Sequence, residues 1–194
     1  MVIWKRKIYR IVMGSIVPTV YLLTRSPVFP LIISSFFLTL LLALEYERYK
    51  NPKIWNWILS HFGGIFKTEP GTLTGETNFM IATFLSILYF PKDVAIANLY
   101  FLVFGDAGSA IIGKKFGKLK IFPGKTAEGM IGGIIFNLAV AFILLHLTGI
   151  PIEILVSGLL VGSILEVLPL KVDDNLTVGI IPGILMSLLL IWKR

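Results

Sequence analysis

Residues 28–46, VFPLIISSFFLTLLLALEY, carry no ionisable side chain before Glu45. A bilayer's hydrocarbon core, roughly 30 Å thick, is crossed by a helix of about 20 apolar residues. Six further apolar runs occupy residues 8–24, 78–90, 94–112, 127–148, 150–168 and 176–192. In lipid every backbone polar group has to be satisfied inside the chain, and runs of this length satisfy them as helices. The expectation is an all-α integral membrane protein of about seven transmembrane helices, with residues 1–194 forming a single membrane-embedded domain. The third run is short, and we expect it to extend back into GTLTGET. Residues 54–66, IWNWILSHFGGIF, are too short to cross. Trp55 and Trp57 suit the headgroup layer, so this segment reads as a short interfacial helix or as a buried turn. Pro18 interrupts the first run and no small-residue cleavage site follows, so that run is expected to be retained.

Composition narrows the chemistry. The chain is 56% hydrophobic and 15% charged, with no cysteine, and its mean hydropathy is +0.85. Thiolate nucleophiles and cysteine-based metal sites are excluded. His61 and His146 stand in unrelated contexts, which leaves oxygen ligands and hence a hard cation such as Mg2+. The net charge of +7 fits cytoplasmic loops and anionic headgroups rather than nucleic acid. With seven crossings, all Lys and Arg except Arg25, Lys92, Lys193 and Arg194 fall on one side. The positive-inside rule then places the N-terminus in the cytoplasm. All acidic residues except Asp93 and Glu153 lie at or near that same side.

The polar residues of the apolar runs form a pattern. Gly124, Lys125 and Thr126 end like a phosphate-binding P-loop, but the required first glycine is Leu119, so the soluble motif is absent. Asp106 lies about seven residues inside the fourth run, where an ionised carboxylate is costly and marks a functional site by default; a structural ion pair with a lysine is the competing reading. Gly105, Ser109 and Gly113 follow one another at every fourth position and permit close helix approach. In the loop that follows, the run Lys114 to Lys120 suits lipid headgroups. Lys125 differs because Thr126 is placed to cap the next helix, whose free amides favour anions. Glu128 either meets that helix dipole or holds a metal beside a phosphate. Glu166 shares the face of Gly158 and Gly162. Asp173 and Asp174 precede Asn175, which serves as a helix cap or as a site residue.

By topology Asp106, the Lys125–Glu128 loop, Glu166 and Asp173 to Asn175 all approach the cytoplasmic surface. Several acids, lysines and a helix N-terminus are the parts that bind a magnesium–phosphate group and stabilise charge in phosphoryl transfer. A site opening into the bilayer calls for a hydrophobic acceptor.

The segments GDAGSAIIGKKFGK (105–118), GKTAEGMIGG (124–133) and DDNLTVG (173–179), supported by TGET (74–77), resemble the CTP-dependent polyprenol, dolichol, phytol and diacylglycerol kinases. KTAEG is also similar to CDP-diacylglycerol synthase, whereas DDNLTV favours the kinase branch. The chain departs from the kinase pattern in having no histidine after Arg10 and Gly179 where a proline is common. The resemblance implies a membrane-embedded catalytic domain that passes the γ-phosphate of CTP to a lipid alcohol, with Mg2+ as cofactor. Carried onto matching positions, it implies Asp106, Lys125, Glu128 and Asp174 as catalytic residues. Gly105, Lys114, Lys118, Gly124, Thr126, Gly129 and Asn175 would bind nucleotide, and Asp106, Glu128, Asp173 and Asp174 would bind metal. Thr74, Glu76 and Glu166 would give support. Individual roles among the acids are exchangeable at this level. Cytidylyl transfer to an acidic lipid and a small membrane transporter are the competing functions. Nothing in the sequence speaks to oligomeric state.

Overall fold

The computed structural model describes residues 2–62 and 71–193. Eight helices occur among the described residues: α1 (Val2–Thr24), α2 (Val28–Lys50), α3 (Pro52–Phe62), α4 (Gly75–Tyr89), α5 (Lys92–Phe116), α6 (Ala127–Leu147), α7 (Ile152–Val167) and α8 (Asp174–Trp192). A helix falls on each of the seven expected runs, and α3 falls on the expected interfacial segment. That segment was drawn to residue 66; its last four positions lie outside the described residues. By length and composition, α2, α5, α6 and α8 are the four helices able to cross a membrane. Helices α4 and α7 have 15 and 16 residues, short of the roughly 20 a perpendicular crossing needs. As expected, α4 reaches back into the TGET segment. It starts at Gly75, where the Thr74 side chain caps it by accepting from the Thr77 amide.

The expected all-α bundle is present, and among the described residues the connection between α5 and α6 is its one departure from helix and loop. There β1 (Lys120–Phe122) pairs antiparallel with β2 (Lys125–Thr126). Pro123 and Gly124 form the turn. Proline presets the second turn position and glycine accepts a positive φ at the third, here +76°, the pattern of a type II turn.

Helix α5 is the axle of the bundle, touching α1, α4, α6, α7 and α8. Its residues Val94 to Ala97, Leu99 and Phe101 to Val103 are all buried, so it is enclosed on every side, as an apolar helix without a polar face should be. Helix α2 is the opposite case. It is just as apolar, yet Phe29, Ile32, Phe36 and Leu40 lie exposed on it, an outer surface suited to lipid rather than water. Helices α5 and α6 approach closely at Gly108 and Gly132. A Cβ on Gly108 would stand 2.7 Å from the Gly132 carbonyl oxygen. Only glycine lets the two backbones meet there; beside it the small-residue stripe of α5 packs on α6, with Ser109 against Gly133 and Gly113 against Gly129.

Candidate active site

Six of the helices, the Pro123–Gly124 turn and strand β2 surround an open cavity of about 1020 Å³, at the upper end of the roughly 300–1,000 Å³ typical of ligand pockets. Its wall holds the basic residues Arg6, Lys7, Arg10, Lys114, Lys125 and Lys171 and the acidic residues Glu76, Asp106, Glu166, Asp173 and Asp174. Of the residues expected at a site, Gly124, Thr126, Gly129 and Asn175 also line it. Thr74, Gly105, Lys118 and Glu128 stand off the wall. Gly105 packs against Asn137.

Asp106 is the best-held acid. Lys7 Nζ donates to its Oδ1 at 2.6 Å and Arg10 Nη1 to its Oδ2 at 2.9 Å, with the carboxylate side chain only 14% exposed. Both cations lie one turn apart on α1, so they share a face, and that face is turned to α5. Arg10 uses its second guanidinium nitrogen to donate to Asn175 Oδ1 at 2.6 Å. One arginine thus joins α1, α5 and α8. Lys7 and Arg10 are the site residues that composition-level reading misses, since it assigns them to a basic N-terminal segment outside the membrane. The available signal was their spacing of three at the head of the first apolar run.

The second group gathers around Lys125. Its Nζ donates to Glu166 Oε1 at 2.5 Å and stands 3.5 Å from Asp174 Oδ2. Burial pulls the Lys125 ammonium down, but the carboxylates of Glu166 and Asp174 outweigh it and hold the group above the ordinary lysine value. Lys125 is therefore charged at all physiological pH. Asp174 is the exposed member, at 47%, and the rim beside it carries the exposed apolar residues Leu168, Leu170 and Val172.

The helix starts behave as their residue types require. Thr126 caps α6, its hydroxyl accepting from the Gly129 amide at 3.1 Å. Asp173 caps α8, accepting from both the backbone and the side-chain amide of Asn175, each at 2.9 Å. Asn175 is thereby relieved of the cap and left to accept from Arg10. Glu128 turns toward the root of the hairpin, where its carboxylate accepts from the amides of Lys118 at 3.0 Å and Leu119 at 3.2 Å.

A buried cluster fixes the opposite wall. Glu45 on α2 pairs with Arg48 at 2.8 Å and accepts from the Thr74 amide at 2.5 Å and the Thr77 hydroxyl at 3.0 Å. Arg48 Nη2 donates to the Thr72 carbonyl at 2.7 Å. Residues 72–77 owe their place along the cavity to this pair, which sequence reading did not single out.

The expected metal set is not gathered. Among the described residues no three His, Asp or Glu side chains come together as a metal site. Asp106 is committed to two cations, Glu128 to two amides, Asp173 to a helix cap, and Asp174 faces the Lys125 ammonium at 3.5 Å. This donor set does not fit a resident divalent ion, and no step below is routed through one.

A helical membrane bundle with a polar cavity at one end, where helix starts, lysines and carboxylates meet, defines an enzyme class that handles anionic ligands at a bilayer surface. The chain belongs to the cytidylyltransferase family, which matches residues 1–190 and includes CTP-dependent polyprenol kinases and CDP-diacylglycerol synthase-like proteins. It is thus a CTP-using lipid enzyme. The chain is 28% identical to an uncharacterized protein of Rickettsia prowazekii (strain Madrid E) over 185 residues, 90% of this chain and 88% of the relative. No solved structure matches the chain significantly.

Proposed function

We propose that the chain is a lipid kinase that transfers the γ-phosphate of CTP to the hydroxyl of a polyprenol- or dolichol-like or other membrane alcohol, releasing CDP. The observation that carries this reading is Asp174, an exposed carboxylate 3.5 Å from the Lys125 ammonium on an apolar rim. An alcohol is a weak nucleophile with a proton to lose, and a carboxylate beside a phosphate-binding cation supplies a base for it. A phosphatidate acceptor already attacks as an anion. It would need no base.

In this reading the alcohol enters along the exposed side chains of Leu168, Leu170 and Val172. CTP enters as its Mg2+ complex, with the metal carried by the phosphates as part of the substrate. Lys125, at the positive end of the α6 dipole, takes the γ-phosphate. The alcohol oxygen bonds to the γ-phosphorus while the bond from that phosphorus to the β–γ bridging oxygen breaks. CDP leaves with the electron pair, and the alcohol's proton passes to Asp174. Lys125 offsets charge on the transferring group, worth several kcal/mol in such sites. Asp106 acts on the other wall, holding Lys7 and Arg10 beside the cavity. The site faces the cytoplasm, where the lysine and arginine distribution places the helix ends that build it.

The test is Asp174→Asn in purified, folded protein. Loss of phosphate transfer to the alcohol with CTP binding retained is expected. Full transfer by that variant would remove Asp174 from the reaction and with it the basis for preferring an alcohol acceptor.

A further inference from the structure

We propose that the hairpin joining α5 to α6 is a docking surface for anionic phospholipid headgroups, seated on the membrane through an apolar face and held there by lysines. Phe116, Leu119 and Ile121 are 51%, 64% and 41% exposed. Lys115, Lys118 and Lys120 are exposed beside them. Within β1, Lys120 and Ile121 fall on opposite sides by the two-residue period of a strand, and Lys118 and Leu119 precede it, both exposed. Such a segment buries its apolar side chains at the acyl boundary and leaves its ammonium groups among the phosphates.

The hairpin's position argues for this partner over any other. It connects two helices, Lys92–Phe116 and Ala127–Leu147, that are both long and apolar enough to cross a membrane. A connection of ten residues, 117–126, between them has to lie at the bilayer surface. Lys115, Lys118 and Lys120 do not line the cavity, so their charge is presented outward. The root of the hairpin is tied to α6 by the Ala127 amide, which donates to the Leu119 carbonyl at 2.9 Å, and by Glu128 on the Lys118 and Leu119 amides. Seating the outer strand therefore fixes the inner strand, which bears Lys125. The surface itself does not depend on which reaction the cavity performs.

The chain has no cysteine, so Leu119→Cys gives a single site for an environment-sensitive fluorophore in the otherwise intact protein. Ile121→Cys reads a second exposed apolar position of the hairpin and guards against loss of one variant to misfolding. The labelled protein is reconstituted in vesicles of phosphatidylcholine alone and of phosphatidylcholine mixed with phosphatidylglycerol. Emission is expected to shift to the blue, with protection from an aqueous quencher, in the mixed vesicles. High salt should reverse the change. Adding Lys115→Gln or Lys120→Gln should weaken seating about fivefold per lysine removed. Equal emission in the two lipids would overturn the proposal. So would a shift driven by CTP in phosphatidylcholine alone, which would make the hairpin a nucleotide cover.

Discussion

Arg10 reaches Asp106 across a 2.9 Å ion pair that closes a span of 96 residues in the chain. With its second hydrogen bond to Asn175, it pins the first and last long helices to the central one. Arg10→Ala would leave a buried carboxylate held by Lys7 alone and a buried amide without its donor. Breaking a buried pair of this kind costs about 3–5 kcal/mol. Thermal unfolding of the purified protein should show a large drop for Arg10→Ala and partial recovery for Arg10→Lys, which keeps the charge but not the two-pronged bridge. Unchanged melting for Arg10→Ala would remove the bridge from the account of stability.

The contact of α5 with α6 makes a second prediction. Gly108→Leu places a side chain where even a Cβ would meet the Gly132 carbonyl at 2.7 Å and the Phe136 side chain at 2.7 Å. Overpacking of this kind costs about 1–3 kcal/mol. Gly149→Ala is the comparison, since nothing lies within 4 Å of its Cβ. Denaturation should separate the two variants clearly. Equal stability would mean that the helices do not meet as closely as described.

Lys125 bears on pH. Its folded value lies above the ordinary 10.5 because Glu166 and Asp174 outweigh the cost of burial. For a cation raised in this way, the stabilisation is fully present below the unfolded value and is lost as pH rises through the folded one. On the alkaline side of neutrality, the stability gap between the wild type and Lys125→Met should therefore hold constant up to pH 10.5 and close above it. A gap that shrank earlier would show that the pairing does not hold the ammonium.

Glu128 separates two readings of one carboxylate. If it positions the hairpin that carries Lys125, Glu128→Ala should lower the transfer rate roughly 10²-fold, the scale of a 1 Å misplacement. Glu128→Gln, which keeps one acceptor oxygen for the Lys118 and Leu119 amides, should lose much less. Excess Mg2+ should rescue neither variant. Equal losses for Ala and Gln, with rescue by Mg2+, would restore Glu128 as a metal ligand.

These contrasts show what was legible in the amino-acid sequence. The apolar runs became helices at the expected places because burial in lipid is read from local composition. Thr126 and Asp173 cap helices because hydroxyl and carboxylate caps act within three residues. The convergence of Asp106, Lys125, Glu166, Asp174 and Asn175 on one cavity was visible from counting helix ends. Lys7 and Arg10 were not recognised as partners of Asp106, because an ion pair 99 or 96 residues long leaves no local mark. Helix α1 begins at Val2, earlier than the apolar run starting at residue 8, and that shift brings the basic residues inside. Glu128 was expected beside Lys125 because only three positions separate them. Between the two, however, the chain passes from a strand into a helix, and the carboxylate turns to the hairpin root. Sequence proximity overstated their spatial kinship.

The central claim is the transfer of a terminal phosphate to an alcohol. Purified protein in vesicles is supplied with a panel of lipid alcohols and with CTP labelled in one sample at the γ-phosphate and in another at the α-phosphate. The account predicts γ-label in a lipid monophosphate, CDP formed in equal amount, and α-label remaining in water. Incorporation of α-label into lipid with release of pyrophosphate would contradict it and identify a cytidylyl transfer instead.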